Sequence, residues 1–108
     1  MHNLKKRKRF ECKPHMQRVS EMRCCVWDLS CSGMTQVHHL LKPWIGERGM
    51  SLRADDRNVI PLCRHHHQQL HDRFGNEFKF FEAHFLAPSF GQTLAKRLWE
   101  DYQNEQVD

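Results

Sequence analysis

The sequence predicts a small α+β domain built around bound metal, and three observations lead there. The chain has 108 residues of which 39% are hydrophobic, enough for one domain but with a core thin enough to gain from a metal staple. Two short β-type runs, 36–41 and 58–62, lie on either side of a loop carrying Pro43, Gly46 and Gly49, with helical patterns before and after them. Between Cys24 and His71 the chain then gathers six histidines and several cysteines. Imidazole and thiolate are the side chains that bind transition metals, and a hydrophobic core does not normally recruit so many of them.

Taken in order, residues 1–13 read as a disordered basic tail. Lys5, Lys6, Arg7, Lys8, Arg9 and Lys13 stand there against Glu11 alone, so the whole of the net charge of +4 is in this tail. Such a run is drawn to a phosphate backbone by counterion release without reading sequence. Residues 14–108 form the domain, with a metal-binding core at about 24–73 and C-terminal helices at about 77–106. Met16, Val19 and Met22 recur at three-residue spacing after Pro14 and predict a short helix. Cys24 to Gly33 has the Asp, Ser and Gly content of a tight knuckle. Residues 36–41 predict a strand and 42–57 a long loop. Asn58 to Leu62 predicts a second strand, confined by Pro61 to an edge or a bend. A helix should run from near Cys63 through His71 to about Arg73, where Phe74-Gly75-Asn76 stops it. Phe78, Phe81 and Phe85 then fall at helical spacing. A last helix carries Leu94, Leu98, Trp99 and Tyr102, with Ser89 and Gln92 set as a capping box.

No apolar run approaches the roughly 18 residues needed to span a bilayer. The basic N-terminus is not followed by the apolar segment of a signal peptide, so the expected location is the cytoplasm. Five cysteines mixed with histidines read as a zinc site before they read as disulfides.

The spacing permits two separate metal sites. His67 and His71 are i and i+4 on one helix, so their rings stack on one face within reach of a single ion. A third ligand from the neighbouring strand, His38 or His39, would leave positions open to water, as catalytic sites require. Adjacent strand residues point to opposite sides, so one of the pair can ligate while the other faces substrate. Cys63 and His66 form a C-x2-H pair at the helix start and, with two thiolates from 24–31, would close a tetrahedral structural zinc site.

Cysteine knuckle, His38-His39, Asn58, then Pro61-Leu62-Cys63-Arg64-His65-His66-His67 and His71: this order resembles the HNH endonuclease family, whose fold is the ββα-metal finger. His15-Met16-Gln17-Arg18-Val19, His38-His39-Leu40, Arg53-Ala54-Asp55 and Ile60-Pro61-Leu62-Cys63 look most like its bacteriophage RecA-dependent nuclease branch and related prophage proteins. The resemblance covers roughly residues 15–85. It implies a ββα-metal finger with a zinc knuckle, flanked by N- and C-terminal helices, in a phage- or prophage-encoded protein of the bacterial cytoplasm. His38 would be the first ligand and His67 and His71 the others. His39 would be the general base, and Asn58 would brace the loop. The structural zinc would be held by Cys24, Cys31, Cys63 and His66, with Cys25 the alternative to Cys24. The family's usual C-x2-C is broken here, since Trp27 and Asp28 stand where a second cysteine would follow Cys24 or Cys25.

The activity so implied is hydrolysis of DNA phosphodiester bonds with low sequence specificity. His39 would take the proton of a water while Mg2+, Mn2+ or Zn2+ at His38, His67 and His71 meets the charge on the leaving oxygen. Lys5, Lys6, Arg7, Lys8, Arg9, Arg53, Arg57 and Arg64, together with Arg73, are the expected backbone contacts. A phage or host recombination or packaging protein is an expected partner. The competing expectation is a zinc-stabilised nucleic-acid-binding or phage assembly module without catalysis. His2, His15, His84 and Cys12 lie outside the ligand pattern.

Overall fold

The structure, a computed structural model, describes residues 9–46 and 53–106. It is a small α+β fold in which a two-stranded sheet is packed among helices. Helix α1 spans Lys13–Ser20, with Pro14 in its first turn, where the missing N–H has no intrahelical acceptor to serve. Strands β1 (Thr35–His39) and β2 (Val59–Cys63) are antiparallel, with Gln36 opposite Leu62 and His38 opposite Ile60. Leu40 N–H donates to Asn58 O and Arg64 N–H to Met34 O. Those bonds put Pro61 at a non-hydrogen-bonded position opposite Val37, where its lack of an N–H costs nothing. Its carbonyl, on the outer side of β2, accepts from Cys25 N–H at 3.0 Å. That bond fastens the cysteine knuckle to the strand.

Helix α2 (Arg64–Gln69) starts directly from β2 with Cys63 as its N-cap. It continues into a π-helical turn, Leu70–Phe74, closed by Gly75 N–H to Leu70 O at 2.7 Å. Gly75 ends it at φ +78°, in the left-handed region that glycine enters without penalty. Helices α3 (Glu77–Ala83) and α4 (Phe90–Glu105) follow. The core is Leu40, Ile60, Leu62, Leu70, Phe80, Phe81 and Ala95, with the knuckle residues Cys24 and Val26 against it. Every residue of β2 is buried, whereas β1 buries only His38 fully.

Several elements differ from expectation. The tail boundary at residue 13 is too late: Phe10 O accepts from Asp56 N–H, and the Phe10 ring packs edge-on to Trp99 at 5.4 Å. Residues 1–8 lie outside the described residues, as do 47–52 of the expected long loop. The aromatic stripe has a different phase. Phe80 and Phe81 form the buried contact, while Phe78 is exposed and Phe85, 97% exposed, has left α3 with φ +63°. Ser89 makes no capping bond, and Gln92 instead donates to Lys42 O at 3.0 Å. Among the described residues no helix is long and apolar enough to cross a membrane.

Candidate metal centres

Three groups of ligand atoms form among the described residues, and two of them share no residue; the third, Asp28, His66 and His84, overlaps the first through His66. In the first, one ligand atom each from Cys24, Cys31, Cys63 and His66 lies within 4.8 Å of the others. His66 Nδ1 is 3.1, 3.5 and 3.6 Å from the sulfurs of Cys63, Cys31 and Cys24. Tetrahedral zinc with Zn–S of about 2.3 Å and Zn–N of about 2.0 Å sets its sulfur and nitrogen ligands about 3.5 Å apart. The donor set therefore fits a zinc ion in both chemistry and spacing. Burial and the neighbouring thiols push Cys24 up to about 12. Burial also opposes ionisation of Cys63, but the His66 backbone N–H and nearby thiols outweigh it and lower that thiol. Ionising the whole set calls for a cation at its centre. Cys24 completes this cluster; Cys25, half-buried and pushed up by desolvation, does not join it. The other imidazole nitrogen of His66 faces Asp28 Oδ2 at 3.4 Å and Ser30 Oγ at 3.2 Å, partners that orient a ligating ring.

The second cluster is His38, His67 and His71, again with ligand atoms within 4.8 Å of one another. His38 is in β1, His67 in α2 and His71 in the π-helical turn. His38 Nδ1 and His67 Nε2 are 3.1 Å apart. Two nitrogens about 2.1 Å from one ion are roughly 3.0–3.4 Å apart for bond angles between 90° and 109°. Burial is graded across the set, with His38 buried, His67 half-buried and His71 exposed, so one side of the cluster opens to solvent. Burial, then the neighbouring rings of His38 and His71, lowers His67 to about 4. Burial and His38 likewise lower His71. Both rings are thus neutral at pH 7, with lone pairs free for a cation.

The far nitrogens of two of these rings have fixed partners. His38 Nε2 is 2.8 Å from Glu77 Oε2, and His67 Nδ1 is 2.7 Å from Gln36 Oε1. Glu77 is fully buried and also accepts from the backbone N–H of Leu41 and Lys42. Burial opposes its charge, but the His38 ring and those two N–H groups hold its carboxyl below the usual range. Glu77 and Gln36 therefore fix which nitrogen of each ring faces the cluster.

His39 points elsewhere. Its Nε2 is 2.8 Å from Asp56 Oδ1, and its side chain is only 7% exposed, so position 39 is a largely buried His–Asp pair and not the open ring that the sequence suggested. Burial lowers its pKa against the pull of Asp56, with Arg53 adding to the effect. Asp56 in turn accepts from Cys12 N–H at 2.9 Å. Asn58, fully buried, accepts from Trp44 N–H at 2.8 Å and donates to Ile45 O at 3.1 Å, which braces the loop between the strands.

Residues 2–88 match the family described as "Protein of unknown function (DUF968)". The chain belongs to that family. It is also similar to "Uncharacterized protein YdfU" of Escherichia coli (strain K12), 33% identical over 85 residues that cover 70% of this chain and 22% of that protein. The chain thus spans under a quarter of the length of this curated relative. No solved structure matches it.

The remaining expected sites in this DUF968 domain separate by environment. Arg57 is committed to Asp55, with its Nη2 2.6 Å from Oδ2, and its guanidinium lies over the Phe10 ring, so it is not a free phosphate contact. Arg53 and Arg64 are exposed, and Arg9 is half-buried beside Glu11 and Asp56. Lys5, Lys6, Arg7 and Lys8 lie outside the described residues. His15, outside the ligand pattern, is fully buried against Trp99 and Tyr102 with neither ring nitrogen hydrogen-bonded. Glu77 and Asp56 were missed. A lone carboxylate far along the chain carries no periodic signal, and the one available hint was acidic residues close to histidine-rich elements.

Proposed function

We propose that this chain is a metal-dependent endonuclease of the HNH type, its β1, β2 and α2 forming a ββα-metal finger that hydrolyses DNA phosphodiester bonds with low sequence specificity. One observation carries the reading: His38, His67 and His71 converge within 4.8 Å on the open side of α2, two of them oriented from behind by Glu77 and Gln36. A purely structural site has four protein ligands and is closed; this one has three and faces solvent. The Cys24, Cys31, Cys63 and His66 set supports it by anchoring the first turn of the helix that carries His67.

A divalent cation held by His38, His67 and His71 supplies charge stabilisation for a phosphate and its leaving oxygen. His39 is the proton acceptor. Asp56 takes the hydrogen bond from Nε2–H, which leaves the lone pair on Nδ1, and burial keeps the ring neutral at pH 7. Asn58 holds the loop that follows β1 and so steadies the backbone carrying both histidines. Mg2+, Mn2+ and Zn2+ are all compatible with the reading, and imidazole ligands favour the transition metals.

One observation favours a second reading, a zinc-stabilised nucleic-acid-binding or assembly module: the His39 ring is 7% exposed and already paired. A plasmid-nicking assay on zinc-loaded protein with added Mg2+, Mn2+ or Zn2+ separates the two. Nicking by the wild type that is lost in His39→Ala and in His67→Ala, with DNA binding retained, is the expected result. Binding without nicking under every cation would overturn the enzyme and leave the module. Repeating the assay with a recombinase filament present tests whether a recombination partner is required.

A further inference from the structure

On the opposite face of β1 from the histidine cluster lies a groove of about 360 Å3, bounded by Arg9, Lys13, Arg53 and Asp56 and floored by Met16 and Val37. β1 explains the placement. Side chains alternate along a strand, so Gln36 and His38 turn toward α2 while Val37 and His39 turn toward α1. Asp56 is both a wall of the groove and the partner of His39, and Arg9 and Arg53 line the same groove. Groove and His–Asp pair are one neighbourhood.

The charges in the groove are not balanced. Its two carboxylates are both engaged, Asp56 with His39 and Cys12 N–H and Glu11 with Arg9. Among the described residues neither Lys13 nor Arg53 is in an ion pair, and both are exposed. Arg9, the last member of the Lys5-Lys6-Arg7-Lys8-Arg9 run of the sequence, lines this groove. Two exposed cations without an ion pair among the described residues, with Met16 and Val37 between them, suit a phosphodiester backbone, whose phosphates meet the cations while its sugars lie on the apolar side chains. An acidic peptide would find the same cations, but its carboxylates would also have to pass the fixed charges of Asp56 and Glu11 without the multiple acceptor oxygens of a phosphate to offset them.

We propose that this groove is the subsite that holds the nucleic-acid backbone beside His39, with Lys13 and Arg53 contacting its phosphates. The proposal rests on the nucleic-acid reading above and adds to it a path for the flanking strand, which runs from the histidine cluster round the unpaired edge of β1 to this groove. The test uses the zinc-loaded chain and oligonucleotides with a phosphorothioate backbone, which resists hydrolysis, so that binding is read without cleavage. Fluorescence anisotropy with a 20-mer oligonucleotide, single-stranded and duplex, is followed across salt for wild type, the double variant Lys13→Gln/Arg53→Gln, and the remote control Lys79→Gln. Loss of two phosphate contacts should flatten the slope of log K against log salt by about 1.8 on duplex and about 1.4 on single strands. Affinity at low salt should fall roughly tenfold on any sequence, with the control unchanged and melting temperature and zinc content preserved. A double variant with wild-type slope and affinity overturns the subsite while leaving the nuclease reading intact. A wild type that binds no oligonucleotide overturns both. Displacement of the oligonucleotide by poly-glutamate at equal charge, lost in the double variant, assigns the groove to acidic protein and overturns the proposal.

Discussion

Replacing Glu77 by glutamine should weaken metal binding at the histidine cluster and spare the cysteine cluster. The substitution keeps shape and removes charge. Glu77 presents one oxygen to His38 Nε2 and Leu41 N–H and the other to Lys42 N–H, all within 3.0 Å. A carboxylate accepts at both oxygens, whereas glutamine must turn an NH2 group toward one set of donors. Either His38 loses the partner that keeps its Nδ1 lone pair on the cluster, or a buried backbone N–H faces another donor, at a cost of about 1–3 kcal/mol. Loss of a carboxylate behind a ligating histidine typically lowers metal affinity about 10- to 100-fold, equivalent to about 1.4–2.8 kcal/mol. Cobalt titration provides the assay, because only the thiolate site gives sulfur-to-metal charge-transfer absorption and the two centres can be followed separately in one sample. The expected result is a 10- to 100-fold rise in Kd at the imidazole site with the thiolate site unmoved. Equal affinity at both sites in wild type and Glu77→Gln would refute the orienting role. A parallel loss at both would show that Glu77 serves the fold alone.

Cys63→Ser should reduce zinc from two ions per chain to one by mass spectrometry, since serine can still cap α2 but is a poor zinc ligand. Melting should fall by roughly 10 °C or more as the stabilisation from bound ion is lost. Gly91→Ala places a Cβ 2.8 Å from Phe81 Cε2 and 3.3 Å from Leu40 Cδ2. Overpacking costs about 1–3 kcal/mol against a helix-propensity gain of up to about 1, so denaturant titration should show a net loss near 1 kcal/mol. His15 is lowered from 6.5 to about 4, with burial the main cause and Arg18 next. The unfolded chain therefore binds the extra proton between these values, and the contribution of His15 to stability is complete above pH 6.5 and is lost as pH falls toward 4, up to about 3 kcal/mol. His15→Leu should remove that part of the acid sensitivity. Comparing melting at pH 5 and pH 7.5 in both proteins checks it, because metal release at low pH is common to the two and cancels.

The candidate ligand clusters were legible because their spacing is local. His67 and His71 one turn apart, and Cys63 and His66 flanking the first turn, are set by helical geometry whatever the rest of the chain does. The order of knuckle, strand, strand and helix was readable for the same reason, and so was the tolerance of β2 for Pro61. The phase of the α3 aromatics was not. Phe78, Phe80, Phe81 and Phe85 allow more than one helical stripe, and where α3 ends and which face meets Ala95 and Leu40 is settled by packing. Only the tertiary structure brought Glu77 to His38 and Asp56 to His39, across 39 and 17 residues, and only it turned His39 inward. A sequence reports periodicity within an element. The carboxylate that meets an imidazole from another element is fixed by how the elements pack, where desolvation makes an unpartnered charge too costly to keep.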